Sequence, residues 1–204
     1  MNSHRRDDCQ VDIVTTYTDQ SRWPTNEGRS AVIERPSLRS WIQTWHKERA
    51  ALTDPRSIEM VDMLIEHSEY ELARDWDAVM RTVTDDAEYN QVGARFNQVV
   101  RGKDAVRSMY EEVDARIPGC VGRIEMEQEQ FCIGTDSVSF AGDVYMVMAG
   151  DELGLYGLDL PDGAGPENHF LVSYRAAIFC KFEGPLVAGE DSYIGAARLH
   201  HQVD

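Results

Sequence analysis

The apolar positions in the first part of the chain recur at the spacing of amphipathic helices. A first helix is predicted behind Ser37, a possible N-cap, because one helical face collects Leu38, Trp41, Ile42, Trp45 and Leu52. A second helix is predicted over about residues 57–72, with an inner face formed by Val61, Leu64, Ile65 and Leu72. Residues 1–36 show neither a helical nor an alternating period, so we expect an irregular N-terminal arm followed by one domain over residues 37–204.

Two further helices are predicted before residue 118, with a short strand between them. Asp75 is a natural N-cap for a helix from Trp76 through Val83, which ends at Asp85-Asp86. A short strand over residues 87–91 and a loop come next. A fourth helix then opens at Gly102 and closes before Pro118-Gly119, and its apolar face carries Val106, Met109, Tyr110 and Val113.

From Gly122 onward the pattern changes to that of strands. Residues 124–130 alternate with a period of two and place their charged side chains on one face. Longer strands are predicted over residues 137–148, 170–182 and 186–194, with a glycine-rich loop over residues 150–165. Helices followed by a run of strands predict an α+β fold, in which helices cover one face of a curved antiparallel sheet around a cavity.

The net charge of the chain limits which partners it can bind. It has 36 acidic and 20 basic side chains, for a formal net charge of -16. A field of that sign repels the phosphates of nucleic acids and anionic membrane surfaces. No uninterrupted apolar run reaches the roughly 18 residues of a transmembrane helix. We therefore expect neither a nucleic-acid partner nor a membrane partner.

The spacing of the cysteines and glycines indicates the cellular compartment of the protein and whether it binds a metal or an organic cofactor. The four cysteines, Cys9, Cys120, Cys132 and Cys180, are scattered without a C-x-x-C pair, and no signal peptide precedes them, so we expect reduced thiols in the cytoplasm. Metal sites need clustered ligands, and organic cofactors usually leave a P-loop or a Rossmann glycine signature. None of these patterns occurs, so the sequence predicts no metal and no cofactor.

Several short stretches resemble the opening and the closing hairpin of one protein family. The opening stretches are Ala73-Arg74-Asp75-Trp76-Asp77-Ala78-Val79, Asp85-Asp86-Ala87, and Arg101-Gly102-Lys103-Asp104-Ala105-Val106 with Tyr110. The closing stretch is Phe182-Glu183-Gly184, followed by Val187, Glu190, Asp191 and Tyr193. Together they cover about residues 57–197 and resemble, in order and spacing, SnoaL-like proteins of the nuclear-transport-factor-two-like class.

The resemblance implies a cone of curved sheet and helices around one hydrophobic pocket, and pairing of two chains into a homodimer through their sheets. The family includes ketosteroid isomerases, scytalone dehydratase, limonene epoxide hydrolase and polyketide cyclases, and its enzymes typically work without a cofactor. It therefore implies an acid/base lyase, isomerase, cyclase or hydrolase acting on an apolar oxygenated molecule such as a terpenoid, steroid or polyketide. The family also contains non-catalytic binding and dimerisation modules, and that alternative stays open.

Two of the family's known sites are incomplete in this chain. The position that resembles the general-base Asp of ketosteroid isomerases is Gln91, which cannot accept a proton. The position of their oxyanion-hole Tyr is His67, and that of the buried Asp is Ile178. The helix position that often carries an Asp in the dehydratases is Leu72.

The epoxide hydrolase pattern fits better. Tyr89 and Gln91 resemble its water-binding Tyr-x-Asn pair, Asp191 resembles its base and Asp143 its acid. The Arg expected two residues before Asp143 is Ala141, so the two carboxylates would need unequal environments to separate their pKa values. These four residues are the first prediction for the catalytic site.

A helix-side pair is the second candidate. His67 and Glu71 are one helical turn apart, so they form either an acid/base dyad or an ordinary polar pair on the surface. Tyr174 shares strand parity with Ile178, so both are predicted to line the pocket. The predicted substrate contacts are Glu71, Trp76, Tyr174 and Ile178.

Overall fold

The computed structural model describes residues 40–93, 96–116 and 124–203. The predicted arm over residues 1–36 and the predicted cap Ser37 lie outside these residues. The boundary of the domain at residue 37 therefore stays a prediction.

Four helices lie where the apolar spacing predicts them: α1 Ser40–Ala51, α2 Pro55–Ala73, α3 Trp76–Arg81 and α4 Lys103–Arg116. The side chain of Asp54 caps α2 by accepting a hydrogen bond from the backbone N–H of Ser57. Asp75 caps α3 through the N–H of Ala78, as predicted. The third helix is shorter than predicted, because the β-branched pair Val83-Thr84 already begins a strand.

The described residues form seven strands, namely β1 Val83–Gly93, β2 Phe96–Arg101, β3 Ile124–Ile133, β4 Ser137–Ala149, β5 His169–Glu183, β6 Leu186–Ile194 and β7 Arg198–Val203. Strands β2 and β7 were not predicted. The sequence of β2 shows no clear period of two, since it contains two amides and two adjacent valines. The pairing of β7 with β5 is interrupted by a shift in register. The predicted loop over residues 150–165 contains a 3-10 helix, Gly150–Tyr156.

The strands form one sheet in the order β2-β1-β6-β5-β4-β3, and β7 pairs with β5. All neighbours are antiparallel except β1 and β6, which run parallel. The sheet predicted as antiparallel is therefore mixed, with this one parallel pair among the described strands. A parallel neighbour needs a long crossover, and the chain between β1 and β6, which includes α4 and β3 to β5, is long enough to supply one.

The helices pack on one face of this sheet, here called the interior face. In β4 every second residue is buried against them, which gives the row Val138, Phe140, Val144, Met146 and Met148. The opposite, outer face carries the intervening side chains. This helix-on-sheet arrangement confirms the predicted α+β class. No helix among the described residues combines the length and the apolar character needed to cross a membrane.

Candidate functional site

Polar side chains from five parts of the fold meet inside the apolar core. We call this set the interior cluster: His67 and Glu71 of α2, Thr82 after α3, Tyr89 of β1, Tyr110 of α4 and Glu190 of β6. His67, Thr82, Tyr89 and Tyr110 are each at most 9% exposed. Buried polar groups are costly unless they are hydrogen-bonded, so each needs a partner or a purpose.

The imidazole of His67 is held on both sides. Its Nδ1 atom lies 2.6 Å from the Thr82 hydroxyl oxygen. Its Nε2 atom lies 3.2 Å from Oε1 of Glu71 and 3.4 Å from the hydroxyl oxygen of Tyr110. The predicted helix-side pair is thus a buried contact of the interior rather than a surface pair.

Tyr110 completes the contact around Glu71. Its hydroxyl donates a hydrogen bond to Oε1 of Glu71. Its ring stacks on Trp76 with centroids 5.3 Å apart, and it meets Tyr89 edge to face at 6.3 Å. Sequence reasoning placed Tyr110 only on the apolar face of a helix. Nothing in the spacing marked its hydroxyl as part of a site.

The two carboxyl groups of the interior cluster are pushed in opposite directions. Burial alone would raise the pKa of Glu71, but the charge and hydrogen bond of His67 and the Tyr110 hydrogen bond hold it below its usual value. Burial, then the charge of Glu71, raises the pKa of Glu190 to about 6, against smaller lowering effects of Ser192 and His67. Near neutral pH one carboxylate is therefore firmly ionised and the other titrates.

Tyr89 is influenced by the charges of both carboxylates. It is adjacent to Glu190 in the parallel pairing of β1 and β6, so the two side chains share the interior face. Burial, with the charges of Glu190 and Glu71, raises the pKa of Tyr89 well above its usual value, so the phenol stays protonated. Its hydroxyl is buried and, apart from the Tyr110 hydroxyl, has no hydrogen-bond partner among the described residues. A donor in that state is available to a ligand oxygen.

An irregularity in β6 decides which acidic side chain points inward. Val187 is buried on the interior face, and strict alternation would continue with Gly189 and Asp191. The pairing of β6 with β5 is irregular here, because Phe182 of β5 is opposite Val187 while Lys181 is opposite Gly189. The extra residue in β6 exchanges its two faces, so Glu190 rather than Asp191 lies on the interior face. Sequence reasoning missed Glu190 for this reason. Gly189, a frequent residue at such bulges, is the signal beside it.

The other residues of the first predicted site lie apart from one another. Gln91 is half-buried on the interior face near the sheet edge, where its amide nitrogen lies 3.7 Å from the sulfur of Met109. Asp191 lies on the outer face and accepts hydrogen bonds from Asn90 at 2.6 Å and Lys181 at 2.9 Å. Asp143 also lies on the outer face, 3.4 Å from a guanidinium nitrogen of Arg175.

The remaining predicted contacts lie on the interior side. Tyr174 is 8% exposed and stacks on Tyr156 with centroids 5.4 Å apart. Ile178 and Trp76 are partly buried and pack against the core. Their role as substrate contacts stays a prediction.

A groove of about 330 Å³ lies elsewhere, along β7. Its lining consists of residues 161–164, Phe170 and residues 199–202, none of which belongs to the interior cluster. His200 at this groove lies 2.7 Å from the hydroxyl of Ser173, and burial lowers its pKa. Among the described residues, no three His, Cys, Asp or Glu side chains come together as metal ligands would.

No protein-family model matches the chain, and no curated protein matches it in sequence. The chain is similar to the crystal structure of a predicted SnoaL-like polyketide cyclase from Shewanella putrefaciens, with 12% identity and a TM-score of 0.54, covering 82% of this chain and 92% of that chain. A second such protein, from a Jannaschia species, is 16% identical with a TM-score of 0.51, covering 70% of this chain and 90% of that chain. The chain thus has the SnoaL-like, nuclear-transport-factor-two-like fold, as predicted.

Proposed function

We propose that this protein is a cofactor-independent acid/base enzyme that acts on an apolar, oxygenated small molecule at the interior cluster. One observation carries the proposal, namely the opposite pKa directions of Glu71 and Glu190 within one buried group of side chains. Environments that separate the pKa values of neighbouring groups are typical of catalytic acids and bases.

Five members of the interior cluster have a role in this proposal. Glu190, with a pKa of about 6, is the general base, because a base works best when its pKa is near the working pH. The protonated phenol of Tyr89 donates a hydrogen bond to the substrate oxygen on which negative charge develops. His67 and Tyr110 hold Glu71 in place, and the Tyr110 ring packs edge to face on Tyr89 and so fixes the phenol.

The surroundings support an apolar substrate with few oxygen atoms. The interior cluster is set in the hydrophobic core, among side chains such as Val79, Met80, Val106 and Met109. A strongly charged substrate would lose its hydration there without enough partners. Terpenoids, steroids and polyketides fit this description, and the two solved proteins described above are predicted polyketide cyclases.

The first predicted set of residues, Tyr89, Gln91, Asp143 and Asp191, is the competing assignment for the same reaction class. Its two carboxylates lie on the outer face and each has a basic neighbour, Arg175 or Lys181. It shares Tyr89 with the interior cluster. The two assignments therefore differ in which carboxylates the reaction needs.

The test is turnover of a panel of apolar epoxides, enones and hydroxy-ketones by four proteins: the wild type, Glu190→Gln, Asp191→Asn and Asp143→Asn. Asp191→Asn is a matched control, since it changes the next carboxylate along β6 on the opposite face. We expect Glu190→Gln to lower kcat/KM by about 10²–10⁴, as for a general base, and the Asn variants to change it less than about threefold.

Other outcomes have definite meanings. Losses of that size in both Asn variants, with little change in Glu190→Gln, would replace the interior cluster by the outer-face carboxylates. If no compound is turned over while one of them raises Tm by binding, the protein is a non-catalytic binding module of the same fold. Either result contradicts the proposed function.

We also propose that two chains pair through the outer face of the sheet. Four exposed apolar side chains lie there, Val92, Val99, Phe179 and Tyr193, each more than 40% exposed. Val92 is adjacent to Tyr193 across β1 and β6, and Phe179 meets the Tyr193 ring edge to face at 5.9 Å. A group of exposed large apolar residues on one sheet face is typical of a protein interface.

A further inference from the structure

The proton of the Thr82 hydroxyl has a fixed place. The Thr82 oxygen lies 2.6 Å from the backbone oxygen of Val79, and the hydroxyl donates to it. Two oxygens at that distance repel unless a proton lies between them. Because the hydroxyl has only this one proton, it cannot also donate to His67.

The Nδ1 atom of His67 must therefore supply the proton in its own contact with Thr82. That contact is short, at 2.6 Å, and the Thr82 oxygen is free to accept. The ring is thus fixed with a hydrogen on Nδ1.

The other ring nitrogen faces acceptors as well. Nε2 lies 3.2 Å from a Glu71 oxygen, and the hydroxyl proton of Tyr110 is already directed to that same oxygen. An Nε2 atom without a hydrogen would place its lone pair against a carboxylate. Both contacts of the ring are favourable only if Nε2 carries a hydrogen too.

We propose that Thr82 is a positioning residue that keeps His67 doubly protonated, and so maintains an imidazolium–carboxylate pair with Glu71 inside the fold. The inference rests on the proposed function for its purpose, since Glu71, the partner of His67, is one of the two carboxylates whose charges act on Tyr89. The protonation state of the ring can nevertheless be measured without a substrate.

Thr84 offers a matched control for Thr82. It lies two residues further along the chain, is 8% exposed, and its hydroxyl has no hydrogen-bond partner among the described residues. Replacing either threonine by valine keeps the shape and removes a buried hydroxyl. Only the change at Thr82 removes an acceptor from His67.

The experiment is nitrogen NMR of the full chain with isotope-labelled histidine at neutral pH, with His67→Gln used to assign the His67 signals. In the wild type we expect both ring nitrogens of His67 to be protonated. In Thr82→Val we expect loss of the Nδ1 proton and a neutral ring with its hydrogen on Nε2. Thr82→Ser should restore the doubly protonated ring, and Thr84→Val should leave it unchanged.

A neutral His67 ring in the wild type overturns the inference at once, even if Thr82→Val fails to fold. A ring that stays doubly protonated in folded Thr82→Val also overturns it, because Thr82 then does not determine the state. If the expected spectra are found but no compound is turned over, the positioning role of Thr82 stands and the proposed function fails.

Discussion

The Nε2 atom of His67 lies 3.2 Å from Oε1 of Glu71, one turn further along α2, and both side chains are shielded from solvent. Removing one member of a buried pair leaves an uncompensated charge, which typically costs about 3–5 kcal/mol. We expect His67→Leu to lower the free energy of unfolding by about that amount. We expect the double variant with Glu71→Leu to recover a large part of it. Urea unfolding measures both.

An exposed pair with the same spacing is the control. Arg107 and Glu111 are also four residues apart on one helix, but their side chains are 38% and 49% exposed. Such surface pairs contribute about 0–1 kcal/mol. Glu111→Leu should therefore change the unfolding free energy by less than about 1 kcal/mol. Equal losses at His67 and Glu111 would show that the interior pair is not special.

Glu190 predicts how stability depends on pH. Its pKa is raised in the fold, from 4.5 to about 6, so the folded protein binds the proton more tightly than the unfolded chain. Its contribution is present below about pH 4.5 and is lost as the pH rises through about 6. Because each pKa unit corresponds to about 1.4 kcal/mol, we expect Glu190→Gln to gain up to about 2 kcal/mol above pH 7 relative to the wild type.

The measurement is urea unfolding of both proteins across this pH range. Asp191→Asn, on the opposite face, tests whether removing any carboxylate of β6 raises the free energy of unfolding above pH 7. The pKa of Asp191 is lowered by its Asn90 and Lys181 hydrogen bonds, in spite of its burial, so its removal should destabilise the protein at neutral pH. A gain in stability in both variants would contradict the assignment of the shift to Glu190.

The helices and the long strands could be predicted from the sequence because their apolar periods are regular. In α2, the predicted residues Val61, Leu64 and Ile65 are all buried, and the cap of α3 is the predicted Asp75. Strand β2 could not be predicted in the same way. Its stability comes from pairing with β1 along the sheet edge, which leaves no alternation in its own residues.

The candidate site depends on contacts that no local pattern contains. Glu190 is inside because the register shifts beside Gly189, and a shift of one residue exchanges the two faces of a strand. The spacing of His67 and Glu71 was visible in the sequence. The Thr82 and Tyr110 hydroxyls that hold them come from 15 and 43 residues away from His67 along the chain.

Gly189 is predicted to be essential for this register. A Cβ atom on Gly189 would lie 2.0 Å from the backbone oxygen of Glu88 on the neighbouring strand, which cannot move without breaking the β1 and β6 pairing. We expect Gly189→Ala to lower the unfolding free energy by about 3 kcal/mol or more. Gly154→Ala is the control, since its Cβ would meet nothing within 4 Å and should change stability by less than about 1 kcal/mol. Equal effects would contradict this reasoning.

The outer face predicts the oligomeric state. If Val92, Val99, Phe179 and Tyr193 are covered by a second chain, the wild type should have about twice the mass of the 23.1 kDa chain. A charge in the middle of that contact has no partner, so Phe179→Glu should give a single chain. Leu160→Glu changes an exposed apolar residue outside the strands and should leave the mass unchanged. Light scattering after size exclusion measures all three, and a wild type with the mass of one chain contradicts the pairing.

The last prediction concerns the pH dependence of the proposed reaction, for a compound that the wild type turns over. A general base must be ionised, so kcat/KM should rise about tenfold per pH unit at low pH and level off above about 6, the pKa of Glu190. The phenol of Tyr89 must stay protonated, and since its pKa lies well above 10, it should cause no fall in rate up to that pH.

Glu190→Gln should lose the acidic limb along with most of the rate. Asp191→Asn should keep the limb and move it slightly downward, because the Asp191 charge is the smallest of the effects that raise the pKa of Glu190. A rate that falls above about pH 6 would instead mean that Glu190 donates a proton, and the roles of Glu190 and Tyr89 would have to be exchanged.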